Sequence, residues 1–199
     1  MAQQRPDSAQ QTASERPAAP LRSDAQRNRE RILEVALAEM TRDPEIPLSA
    51  IARQAGVGQG TFYRNFPNRD ALVLEIFRHE MTQVADSAAQ LLETLEPAEA
   101  LRAWMDRLAD HALAKAGLAE ALRHAMSATG AEKPSPAGLM AAVRTLLTAG
   151  QQAGTIREGI TEEDFFYLIA GLFSIPADEQ WKERSTRMLD LVMDSLRTR

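Results

Sequence analysis

Residues 46–69 read IPLSAIARQAGVGQGTFYRNFPNR, and this stretch decides the fold. It holds three arginines (Arg53, Arg64 and Arg69) and no Asp or Glu, in a chain whose net charge is −5. Leu48, Ile51, Ala52 and Ala55 recur at helical spacing, and Phe62 and Phe66 stand four apart. Gly56 lies between these groups and supplies the backbone freedom of a tight turn. The spacing predicts two short helices, over 48–54 and 59–66, with Pro67 ending the second. Two such helices around a glycine make a helix-turn-helix, whose second helix enters the DNA major groove. A local loss of acid in an acidic chain is what an approach to phosphate demands.

Outward from this stretch the pattern stays helical. Ile32, Leu33, Ala36, Leu37 and Met40 form one apolar face of a first helix, starting near Ser23 or Asp24 and ended by Pro44 and Pro47. Asn68 can cap a long fourth helix over 69–95, with the stripe Leu72, Ile76, Met81, Val84, Ala88, Leu91, Leu95. Further helices are predicted over 97–115, 118–126, 137–153, 162–174 and 179–197. Gly130, Pro134 and Pro136 mark a loop, Gly154 a helix end, and Thr161 with Asp164 a capping box. No strand pattern and no repeat is present. The fold class is all-α, about nine helices: a three-helix head over 23–70 and a helical body over 71–199, bridged by helix four.

Charge is uneven. Residues 22–69 carry 8 Arg against 6 acids, whereas residues 81–199 carry 12 Lys plus Arg against 17 acids. This suits a basic anchoring part and an acidic body. With 199 residues the chain can bury a sizeable core. Cysteine is absent, which removes disulfides and thiolate metal sites, and His79, His111 and His124 are scattered. No metal, no cofactor and no catalytic residue is expected, because neither a phosphate-cradling glycine loop nor a nucleophile elbow occurs. Residues 1–22 read as a polar, proline-bearing, disordered arm without a signal peptide. No apolar run is long enough to span a bilayer, so the chain is read as cytoplasmic, with no membrane partner.

At 100° per residue, Phe62 and Phe66 point together toward the head core. The opposite side of that helix carries Gly60 and Arg64, flanked by Thr61, Tyr63 and Asn65. Gly60 lets backbone come close to DNA. Arg64 suits guanine edges or phosphate, and Gln59 suits adenine edges. Tyr63 offers a ring to a thymine methyl and a hydroxyl to phosphate. Arg69 sits at the amino end of helix four, where backbone N–H groups favour an anion. Pro47 leaves the N–H groups of helix two to Ser49, water or phosphate.

The run AIARQAGVGQGTFYRNFPNRDALV, with RERILEVALAEM before it, resembles the DNA-binding head of the TetR (TetR/AcrR) family of bacterial transcriptional regulators. The pattern matches at Ile51, Ala52, Ala55, Gly56, Val57, Gly60, Thr61, Tyr63, Phe66, Arg69 and Leu72, and the likeness covers residues 24–80. The resemblance implies that Thr61 and Tyr63 contact phosphate or a thymine methyl and that Arg69 clamps a phosphate. It implies that Gln59, Arg64 and Asn65 set operator preference. Gly58 and Pro47 depart from the pattern, since hydroxyl caps are common at both places.

In the body, helix eight carries Phe165, Phe166, Leu168, Ile169, Leu172 and Phe173, which cover most of its circumference. A helix apolar nearly all round is buried on all sides, and a second subunit is one cover. Phe165, Ile169, Leu172 and Phe173, with Met188, Leu191, Val192 and Ser195 of helix nine, are the candidate homodimer interface. The resemblance implies a ligand pocket among helices four to seven. Trp104, Met105, Leu108, His111, Met126, Met140 and Phe166 are candidates to line it, and ordinary core packing explains the same stripe. The expected partners are a double-stranded operator, a second copy of the chain and a small, largely apolar effector. The expected function is a ligand-responsive, non-enzymatic repressor on a palindromic operator. The alternative is a helical small-molecule carrier without operator-specific binding.

Overall fold

The computed structural model describes residues 19–114, 118–129, 137–171 and 178–198. Nine α-helices follow in order among them: α1 Ala19–Arg42, α2 Leu48–Gln54, α3 Gln59–Asn65, α4 Arg69–Thr94, α5 Pro97–Ala114, α6 Ala119–Thr129, α7 Ala137–Gln152, α8 Glu162–Ile169 and α9 Trp181–Leu196. The described residues contain no strand beyond an isolated bridge between Ile156 and Arg197. None of their helices is long and apolar enough to cross a membrane.

Local chemistry fixes several of the ends. Asn68 accepts the N–H of Ala71 at 2.8 Å and starts α4. Thr161 and Asp164 cap each other reciprocally at the start of α8. Gly56 and Gly154 adopt φ of 68° and 69°, the left-handed turns that stop α2 and α7. Three boundaries differ from the sequence expectation by three residues or more. α1 begins at Ala19, not at Ser23 or Asp24, because Asp24 lies inside the helix and pairs with Arg27 one turn on. α6 runs to Thr129, whose hydroxyl donates back to Ala125. The α-helical part of α8 stops at Ile169, and Leu172 and Phe173 lie outside the described residues.

The apolar side chains gather into two clusters. The head cluster joins Ile32, Ala36 and Met40 of α1, Ile51 and Ala52 of α2, Phe62 of α3, Phe66, and Leu72 and Ile76 of α4. Leu118 and Ala125 join it, with Leu122 and Met126 at its edge, so α6 packs on the head. The body cluster is built from the rest of α4 with α5, α7, α8 and α9 around Leu101, Trp104, Leu146 and Phe165. α4 alternates between the two: Leu72 and Ile76 enter the first, Val84, Ala88 and Leu91 the second. Leu95, expected in that stripe, is exposed, since it leaves the helix in an extended conformation.

Candidate nucleic-acid interface

α2 and α3 hold a fixed relation because Ile51, Ala52, Phe62 and Phe66 are fully buried and Gly56 turns the chain between them. Polar bonds reinforce the joint. Gln59 Nε2 donates to the carbonyl of Ser49 at 3.1 Å, and the N–H of Val57 donates to the carbonyl of Ala52 at 3.0 Å. Gly58 caps α3 without a side-chain bond, and Pro47 does the same for α2. Ser49 itself stays exposed on the first turn of α2.

The outward side of α3 carries the expected groups. Gln59, Gly60, Tyr63, Arg64 and Asn65 are exposed and Thr61 is half-buried. Tyr63 is 43% exposed, with its ring edge-on to Phe62 at 5.6 Å. Its ring therefore rests against the core residue Phe62 while part of the side chain stays exposed. Arg64 Nη2 donates to Thr61 Oγ1 at 3.1 Å, which orients the guanidinium along α3. A Cβ placed on Gly60 meets nothing within 4 Å, so no neighbour inside the chain requires glycine there. Asn65 donates to the carbonyl of Thr61 at 2.9 Å, and its Oδ1 accepts from Arg29 at 3.5 Å. Much of its bonding capacity is thus spent within the protein.

Arg69 is turned differently from the phosphate-facing placement that the sequence suggests. Its guanidinium donates to the carbonyl of Pro44 at 2.6 Å and to that of Ile46. Arg29 is a residue that sequence reasoning missed. It pairs with Glu75 of α4 and lies 4.9 Å from the centre of the Phe66 ring. Its place on the polar side of α1 gave no periodic signal.

The proposed pocket residues do not come together as one lining. Trp104, Met105 and Leu108 are fully buried in the body cluster, and Phe166 packs against it, whereas Met126 packs on the head cluster. Met140 is half-buried. The indole N–H of Trp104 donates to the carbonyl of Val84 at 2.9 Å. His111 bonds the carbonyl of Arg107 through Nδ1 at 2.8 Å and faces the buried carboxylate of Glu80 at 3.1 Å. Among the described residues no group of three His, Cys, Asp or Glu can hold a metal ion.

The interface candidates also divide. Phe165 and Ile169 are covered by their own subunit, with Phe165 6.3 Å from Trp104, and Val192 is buried as well. Within the single chain all three are covered by their own core. Met188 and Ser195 are half-buried, and Ser195 donates to the carbonyl of Val192 at 2.7 Å. Tyr167, Leu168 and Leu191, at 76%, 41% and 68% exposure, are the outward apolar groups of α8 and α9.

A buried aromatic pair, a fixed two-helix joint and a polar outer face without acid define a helix-turn-helix DNA-binding protein on a helical body. Residues 32–76 match the family described as bacterial regulatory proteins, tetR family, and residues 96–198 match the C-terminal domain of SbtR-like transcriptional regulators. The chain belongs to the TetR family of transcriptional regulators. A solved TetR transcriptional regulator from Streptomyces coelicolor is 40% identical over 85% of this chain and 98% of its own, with a TM-score of 0.75. Another from Mycobacterium vanbaalenii is 34% identical over 90% and 100%, with a TM-score of 0.69. RolR, solved in complex with resorcinol, is 17% identical over 88% and 90%, with a TM-score of 0.55, and shares the fold alone. No curated protein matches significantly.

Proposed function

We propose that this TetR-family regulator is a homodimeric repressor that binds a palindromic operator and is released by a small, largely apolar effector. The observation that carries the DNA half is the outer face of α3. Arg64 stands exposed across the helix from the buried Phe62 and Phe66, and Tyr63 is exposed on its flank. In this reading Thr61, Tyr63 and Ser49 meet backbone phosphate, Arg64 and Gln59 meet base edges, and Gly60 admits the groove wall. Pairing is supported by Tyr167, Leu168 and Leu191, apolar groups that one subunit leaves uncovered. A two-fold dimer places two copies of α3 about one helical turn of DNA apart, or a multiple of it.

Effector response is supported by the construction of α4, which enters both apolar clusters and so links body to head. A ligand with different affinities for two settings of α4 shifts the population of the DNA-binding one. The experiment is selection of duplexes from a random pool by the purified protein, followed by sedimentation of the complex. Recovery of an inverted repeat bound by two chains supports the proposal, and recovery of no common sequence rejects it.

A further inference from the structure

Arg69 opens α4, and its side chain reaches back across the head instead of outward. Nη1 donates to the carbonyl of Pro44 at 2.6 Å and Nη2 to the carbonyl of Ile46. Both carbonyls belong to the turn between α1 and α2. That turn delivers the chain into α2 without a cap of α2's own, because Pro47 has no side-chain acceptor to offer. In the first turn of α2 the carbonyl of Pro47 accepts from Ala50 and Ile51 at 2.9 and 3.3 Å, and no side chain caps the N–H groups. Arg69 thus supplies from α4 the restraint that α2 lacks. A planar guanidinium can grip two carbonyls at once, whereas an ammonium is a single point charge. The amino end of α4 is furnished already: Asn68 caps it, and the acidic Asp70 occupies its first turn. A carboxylate there works against a phosphate in the same place.

We propose that Arg69 is a positioning residue of the helix-turn-helix, fixing the seat of α2 against α4 instead of neutralising a phosphate. The recognition helix follows, because Gln59 bonds the carbonyl of Ser49 and Val57 that of Ala52. The same fork makes α2 follow any displacement of α4. The consequence for operator binding rests on the DNA-binding reading above, whereas the restraint on α2 does not.

The test uses the full-length chain with Arg69→Lys and Arg69→Ala. Amide hydrogen exchange at Ala50 and Ile51, without DNA, reads the restraint directly. Both variants are expected to exchange about tenfold faster there or more. Binding to a selected operator and to a random duplex of equal length is then followed across a salt series. Both variants are expected to lose at least about tenfold in operator affinity, to bind the random duplex like the parent, and to keep its salt slope. Unchanged exchange in Arg69→Lys overturns the proposal. So does Arg69→Lys with parental operator affinity, or a slope reduced by about 0.9 in Arg69→Ala, the mark of a lost phosphate contact. If Arg69→Ala fails to fold, Arg69→Lys decides alone. If the parent protein prefers no duplex over random DNA, the DNA-binding reading fails, and the exchange data still decide the role of Arg69.

Discussion

The guanidinium of Arg29, on α1, lies 4.9 Å from the ring centre of Phe66, the residue that ends the recognition helix. The same group pairs with Glu75 of α4, so one side chain ties three helices of the head together. Planarity matters in this contact, since a guanidinium stacks on a ring and an ammonium does not. Arg29→Lys is expected to destabilise the protein by about 1 kcal/mol, read as a lower urea midpoint with unchanged slope. A midpoint equal to the parent's would show that charge alone suffices.

Arg64→Ala is expected to change sequence preference at one or two operator positions, by about 1–3 kcal/mol per base pair. Comparison of duplexes selected by the two proteins measures this. An equal loss on every sequence would instead make Arg64 a phosphate contact.

Leu191 is the most exposed leucine of α9, on a face that the subunit leaves bare. Leu191→Glu is expected to weaken self-association by at least about tenfold while the helical circular dichroism stays constant. Sedimentation equilibrium gives the dissociation constant. Unaltered dimerisation would remove this face from the interface.

Gly150 packs against Ile156, whose Cβ lies 3.0 Å from where a Cβ on the glycine would sit. Ile156 is fully buried, and its N–H donates to the carbonyl of Gly150 at 3.1 Å, so neither partner can retreat. Gly150→Ala is expected to cost about 1–3 kcal/mol, seen as a lower Tm, despite alanine's better helix propensity.

The Thr161 hydroxyl, and then its backbone N–H, hold the Asp164 carboxyl below the ordinary aspartate value of 3.8. A depressed carboxyl stabilises the folded start of α8 above that value. The benefit fades as pH falls through the lower folded value. Thr161→Val is expected to bring the Asp164 titration back toward 3.8, followed by carboxyl NMR shifts. An unmoved titration would assign the depression to another cause.

Much of the head is legible in sequence because short-range chemistry dictates it. The i, i+4 pair Phe62 and Phe66 defines an inner face, and that alone sends Tyr63 and Arg64 outward. Asn68 and the Thr161–Asp164 pair announce their helix starts. Contacts between distant segments carry no such signal. Arg69 finds Pro44 across 25 residues, and Arg29 finds Glu75 across 46. Periodicity likewise reports that α8 is apolar nearly all round without reporting what covers each side. Phe165 and Ile169 go to their own core, and Tyr167 and Leu168 remain outside.

The packing of α6 on the head cluster bears on protein engineering. A DNA-reading cassette cut after α3, or within α4, would strip Leu118 and Ala125 from Ile76 and its neighbours and leave bare hydrocarbon. A cut after Thr129 is no better, since it would part Trp104 and Leu101 of α5 from Leu146 and Phe165, so chimeric regulators that borrow this specificity should keep the head and the helical body together.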